Sequence, residues 1–255
     1  MIKNQRGATL IVVLLILVAI IVIGTLAVRQ GLVSLGIATN SQAQQLLLQN
    51  SDAAFFNVER EDNIIQALSS SGMFGYISGA DDREKELVFC YRGAEPSFFD
   101  ISRASIIYWK AGTTVPTNSE FGTEGYCDAS KNSLINFFTS GRKAVMTQVA
   151  VKFASISQND PFFGAQFGTD EDAVKFERSK AVKVFAVSVM PNLTSASSTE
   201  INTCLQNRMS EVTIPEGTTV SATAASRKTV TECLSDLNVP FTSHVTEYVI
   251  VQDFV

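Results

Sequence analysis

Between Arg6 and Arg29 the chain carries no charged residue, and Leu, Ile, Val and Ala fill nearly every position. About twenty apolar residues in a row are long enough to cross a hydrocarbon core of roughly 30 Å as a helix. Lys3 and Arg6 precede the run and are expected to stay on the cytoplasmic side. Arg29 then marks the outer boundary, so the bulk of the chain is expected to be exported.

The order of the parts separates three readings of this segment. A secretory signal peptide has an apolar core of about 7–15 residues followed by a small-residue cleavage site. Here the run is longer, and the late match Thr25-Leu26-Ala27 is only fair. An uncleaved membrane anchor is the second reading. In the third, the short basic leader ends at Gly7, in front of the apolar run, and a cut there leaves the helix on the mature chain.

The stretch Arg6-Gly7-Ala8-Thr9-Leu10-Ile11-Val12-Val13-Leu14-Leu15 resembles the prepilin peptidase site of type IV pilins. Those sites have a basic leader ending in Gly, then a Phe- or Ala-type residue, Thr or Ser, Leu and an aliphatic run. The resemblance implies a leader of residues 1–7 carrying Lys3 and Arg6, cleavage between Gly7 and Ala8, and N-methylation of the new Ala8 amine. Glycine suits such a site because a residue without a side chain lets the backbone be approached closely. One departure is informative. Most pilins carry Glu at the fifth position after the cut, where this chain has Val12. In the family that carboxylate is thought to neutralise the terminal amine of the subunit ahead, which offsets the cost of burying an unpaired charge. A subunit with nothing ahead of it has no such need. Val12 therefore makes the chain similar to the PilX family of minor pilins and to the Glu-lacking tip pseudopilin of type II secretion.

Beyond Arg29 no proline occurs before Pro96, so nothing of that kind breaks a helix. Leu32, Leu35, Thr39, Ala43, Leu46, Asn50, Ala54 and Val58 recur at three- and four-residue spacing, one stripe of an amphipathic helix. Residues 30–51 are uncharged and rich in Gln, Asn, Ser and Ala, and charges return at Asp52, Glu59, Arg60, Glu61 and Asp62. One helix over residues 8–70 is expected, with 8–28 as its transmembrane or filament-core part. Helical from Ala8 to about Leu68, it would be roughly 90 Å long. Ser69-Ser70-Ser71-Gly72 is a turn cluster that ends it.

Residues 71–255 read as one exported globular domain. Runs rich in Val, Ile, Phe and Tyr at 86–91, 101–110, 144–156, 181–190 and 245–251 are expected strands. The run at 181–190 is apolar on both alternations and is expected to be buried on both faces. A helix is expected over 226–237. The fold class is α+β. The resemblance implies a type IV pilin-like arrangement, with a long N-terminal helix, half transmembrane and half packed on the head, and a C-terminal antiparallel sheet.

Cys90, Cys127, Cys204 and Cys233 are even in number and all lie in the expected exported head. Four cysteines allow three connectivities. Cys90–Cys127 with Cys204–Cys233 is favoured because each bridge closes a local loop. A zinc site has no Cys-x-x-Cys spacing to support it, and the lone His244 lies elsewhere.

No catalytic motif appears. There is no Gly-x-Ser-x-Gly elbow, no glycine-rich phosphate loop and no His-Glu-x-x-His, so neither an enzyme nor a cofactor is expected. Asp81-Asp82-Arg83-Glu84 and Asp170-Glu171-Asp172 could offer oxygen ligands to calcium, but neither has EF-hand spacing and both read as solvated surface. Asn192-Leu193-Thr194 matches a glycosylation pattern by chance. A net charge of −5 gives no global basic field, and Arg142-Lys143 and Arg227-Lys228 are too small as patches to argue nucleic-acid contact. Phe98-Phe99, Phe137-Phe138 and Phe162-Phe163 are doublets in which one ring could face a neighbouring subunit, although core packing explains them equally well.

The expectation is a structural minor pilin of the tip or priming complex of a type IV pilus, supporting twitching motility, adhesion and DNA uptake. Its expected partners are other minor pilins, the major pilin, prepilin peptidase and the inner-membrane assembly machinery. It would sit as a single-pass inner-membrane protein with a periplasmic head, then at the pilus tip. A type II secretion tip pseudopilin usually carries a large helical insertion in its head, whereas this head reads as strand-rich. A non-polymerising single-span adhesin or receptor would retain Met1 and its leader, and an anchored hydrolase is the remaining alternative.

Overall fold

A computed structural model describes residues 8–79, 82, 84–93, 97–130, 144–153 and 180–250. The chain forms two units, residues 1–45 and 46–255. In the first, every described residue belongs to helix α1, which spans Ala8–Glu59. Two of its hydroxyls bond back to the helix backbone. The Thr25 hydroxyl donates to the Val22 carbonyl at 2.9 Å, and that of Thr39 to Leu35 and Gly36 at 3.0 Å. A Cβ at Gly24, Gly31 or Gly36 would meet nothing within 4 Å, so no close packing in this unit requires these glycines.

In the second unit α1 ends at Glu59 and a short helix α2 follows over Glu61–Leu68, so the expected single helix is broken once, at Arg60. Arg60 takes an extended backbone (φ −63°, ψ 131°). The Asn63 side-chain amide donates to the Asn57 carbonyl at 2.6 Å, replacing the partner that carbonyl loses at the break. The turn after α2 is tight. Phe74 and Gly75 both donate backbone N–H bonds to the Ala67 carbonyl, and a Cβ at Gly72 would lie 2.1 Å from the Gln66 carbonyl oxygen.

Five strands, β1 (Glu86–Tyr91), β2 (Ala104–Ile107), β3 (Met146–Phe153), β4 (Lys180–Val189) and β5 (Phe241–Ile250), form one antiparallel sheet in the order β2-β1-β3-β4-β5. Phe89 pairs with Val149, Val149 with Ala186 and Ala186 with His244, which fixes the two faces. One face carries Leu87, Phe89, Val149, Val151, Val182 and Val184 against Ala54, Phe55 and Val58 of α1. Full burial of a side chain of this size stabilises by about 1.5–3 kcal/mol, so this layer holds the end of α1 to the sheet.

The opposite face is also covered. Val88, Ala150 and Phe185 pack with Ile107, Trp109, Tyr126 and Met209. Met146, Val187 and Val189 pack with Ile201 and Leu205 of helix α3 (Ser198–Asn207) and with Val230 and Leu234 of helix α4 (Val230–Asp236). The two-sided burial expected of 181–190 is observed.

Several boundaries differ from expectation. Ile101–Arg103 form a 3-10 turn, because Asp100 Oδ1 accepts the Ser102 amide at 2.9 Å and caps it, and β2 begins only at Ala104. The last strand starts at Phe241, because pairing with β4 carries a polar Thr-Ser-His stretch into the ladder. Helix α3 is unanticipated, and Ser197 and Glu200 form a capping box at its start. The expected helix at 226–237 is a 3-10 turn followed by α4.

Candidate functional site

Among the described residues two features stand out, the apolar part of α1 and a buried polar cluster in the head. In α1 the large apolar side chains from Leu10 to Ile37 are exposed all round, half or more of the surface of most of them being open. A helix that is apolar on every side is stable only in an apolar environment. Among the described residues α1 is the one helix long and apolar enough to cross a membrane.

Ala8 opens α1, and Val12 lies exposed in its second turn with no acidic residue in the first. Lys3, Arg6 and Gly7 lie outside the described residues. In the head, Cys90–Cys127 and Cys204–Cys233 are both bridged, with Cα separations of 4.9 and 5.6 Å. The first bridge ties β1 to the long β2–β3 connection, and the second ties α3 to α4.

The buried polar cluster was not read from the sequence. Glu86, fully buried at the start of β1, accepts backbone N–H bonds from Ser210 (2.7 Å) and Glu211 (2.8 Å). Burial outweighs those two bonds and pushes its carboxyl up to about 7. Lys152, 3 % exposed within β3, donates to the Glu211 carbonyl at 2.9 Å and to the Thr213 hydroxyl. Burial holds its ammonium below the usual lysine range, against the raising influence of Glu86 and Glu211. Lys183 closes the cluster with a 2.7 Å ion pair to Glu211. Together these groups hold residues 210–213 onto the sheet. The available signal was three charges, Glu86, Lys152 and Lys183, inside otherwise apolar strand runs.

Gln148 makes a second such tie. Its side chain accepts the Cys127 amide at 3.1 Å and donates to the Leu205 carbonyl at 2.9 Å. Every one of these bonds joins the sheet to a connecting segment, and none is arranged as nucleophile and base.

His244 Nδ1 lies 3.3 Å from Asp52 Oδ1, and its ring stacks on Phe55. Among the described residues no Ser, Thr or Cys side chain is hydrogen-bonded to it. Asp82 is paired with Lys85 at 2.7 Å. Asp81, Arg83, the 170–172 acidic cluster, Arg142-Lys143, Phe137-Phe138 and Phe162-Phe163 lie outside the described residues. Among the described residues no three His, Cys, Asp or Glu side chains gather in a way that could hold a metal ion. Arg227 donates to the Val220 carbonyl and Lys228 pairs with Asp236, so both are engaged locally. Phe98 and Phe99 are both half-buried and both pack edge-on against Phe89, so core packing accounts for this doublet.

Compared with protein-family models, with curated proteins and with solved structures, the chain finds no match.

Proposed function

We propose that this chain is a structural minor pilin, similar to the PilX family, acting in the tip or priming complex of a type IV pilus. One observation carries the reading: a helix uncharged over residues 8–28 begins directly after a short basic leader ending in Gly7, with Val12 where most pilins place Glu. Prepilin peptidase removes residues 1–7 and the Ala8 amine is methylated. The helix waits in the inner membrane with the head in the periplasm. It then exchanges lipid for the helices of other minor pilins and the major pilin. A valine at position 12 leaves no unpaired carboxylate when no subunit stands ahead of it. The two-sided, disulfide-tied head gives a rigid body for subunit contacts. Twitching motility, attachment and DNA uptake follow from the pilus rather than from chemistry in this subunit.

Mass spectrometry of the mature N-terminal peptide, from cells with and without prepilin peptidase, tests this. The expected peptide begins at methylated Ala8 and disappears without the peptidase. An intact Met1 in both strains overturns the reading in favour of an anchored exported domain.

A second reading, the type II secretion tip pseudopilin, draws on the α3–α4 excursion between β4 and β5. Those helices have 10 and 7 residues, short for the large helical insertion of that class. Deleting the gene separates the two, since one predicts lost pili and the other lost secretion.

A further inference from the structure

A cleft of about 330 Å³ opens between α2, the turn after it and the segment leading into β2. Its walls include Asn63, Gln66, Ser71, Ser97, Phe98 and Asp100. Phe98 is fixed edge-on against Phe89 at 5.3 Å and packs beside Tyr91, so the apolar wall is set in place by the core. The Asn63 amide is fixed by its bond to Asn57. Gln66, Ser71 and Ser97 have no side-chain hydrogen-bond partner among the described residues. Both bonds to Asp100 fall on Oδ1, from the Ser102 amide and hydroxyl, which leaves Oδ2 for a ligand. Those same bonds hold the carboxyl below the usual range, so it stays an acceptor.

This set has a definite chemical preference. An aromatic wall suits an apolar C–H face, and an amide, two hydroxyls and a carboxylate suit a ligand that donates and accepts from adjacent hydroxyl groups. Among the described residues no Lys or Arg lines the cleft, which disfavours an anion. The volume lies at the small end of small-molecule sites, roughly 300–1,000 Å³. We propose that this cleft binds a neutral carbohydrate of one or two pyranose rings, with Gln66, Ser71 and Asp100 taking its hydroxyls beside Phe98. The inference stands apart from the pilin reading, since it concerns the head alone.

The test is saturation-transfer NMR on the full chain in lipid nanodiscs, where no glycoside detergent competes. The probes are the methyl β-glycosides of glucose, galactose and N-acetylglucosamine, with methyl β-glucuronide as the anionic control. Transfer to the ring protons of at least one neutral glycoside is expected. It should weaken about fivefold or more in the Q66A/S71A double variant, with the Trp109 fluorescence melt unchanged. Three results overturn the proposal: no transfer to any neutral glycoside, transfer indifferent to the substitutions, or binding of the glucuronide alone. The last would place the ligand in the adjoining cleft that Arg92 and Arg103 line.

Discussion

The hydroxyl of Tyr248 donates to Glu59 Oε1 at 2.9 Å, joining the last strand to the final residue of α1. Two residues earlier in that ladder face, Thr246 pairs with Val184, and His244 then reaches Asp52 and Phe55. The edge strand of the sheet is thus tied to the helix that the opposite end of the sequence supplies. Burial, and then the Glu59 carboxylate, push the Tyr248 phenol up. A raised phenol stabilises the fold at neutral pH and loses that contribution as pH rises past the unfolded value near 10. Y248F is expected to cost about 1 kcal/mol, discounted for exposure, or roughly 2–4 °C in Tm. It should also flatten the alkaline limb of a Tm-versus-pH curve. An unchanged Tm would mean that the Glu59 bond contributes nothing net.

Glu86 predicts a pH dependence of opposite intuition. Its folded carboxyl sits at about 7, against 4.5 ordinarily. The native state therefore binds more protons between those values, and stability is full below about 4.5 and falls as pH rises through 7. The shift corresponds to an upper limit on the order of 3 kcal/mol. Lys152, held below its usual range, adds stability as pH rises toward 10.5, where the folded state has lost a proton that the unfolded chain still holds. E86Q should lose one amide bond yet abolish the slope between pH 4.5 and 7. Trp109, the sole tryptophan and 1 % exposed, reports the transition by fluorescence. A slope that survives E86Q would assign it to another group.

What the sequence showed and hid follows from which interactions are local. The run at 86–91 matches β1 residue for residue, and 181–190 matches β4 within one residue, because continuous β-branched and aromatic stretches buried on both faces announce themselves. Helix α3 escaped because Ser198–Asn207 is polar outside Ile201, Cys204 and Leu205, although Ser197 and Glu200 carried a capping signature. The start of β5 escaped because an edge strand tolerates Thr242, Ser243 and His244. The Glu86–Lys152–Lys183 cluster needed strand register and a segment more than 120 residues away, which no local pattern encodes.

Gly125 gives a prediction that the sequence alone did not offer. Its amide donates to the Ser105 hydroxyl at 2.9 Å, and a Cβ there would lie 2.3 Å from the Ser105 nitrogen and 2.4 Å from the Val88 carbonyl oxygen. Those are backbone atoms of paired strands and have nowhere to move. G125A is expected to cost about 3 kcal/mol or more. A melt within a degree of the parent would show that the loop can be displaced from the sheet.

The two disulfides should differ in accessibility. Cys90 and Cys127 are both buried, whereas Cys233 is half-buried beside its buried partner Cys204. Mild reductant on the folded protein should open Cys204–Cys233 first, as read by alkylation and mass spectrometry. The loop it closes, of 29 residues' separation, is worth roughly 3–4 kcal/mol in the chain-entropy model. C204S/C233S should therefore melt earlier while keeping Cys90–Cys127 intact. Initial reduction of Cys90–Cys127 would contradict burial as the controlling factor.

Val18 lies mid-run in the exposed apolar part of α1, about half its surface open and no charge within ten residues on either side. If that stretch resides in lipid, V18K places an ammonium near the bilayer centre, at a cost of about 2.5–3.5 kcal/mol on insertion scales. The same substitution in water would relieve an exposed apolar surface and raise solubility. The two environments thus give opposite signs from one change. Retention in the alkali-resistant membrane fraction should fall for V18K and stay at the parent level for V18L, with both disulfides still formed in the head. Equal retention of V18K and V18L would remove the bilayer as the environment of this helix, and with it the first step of the assembly route proposed for the chain.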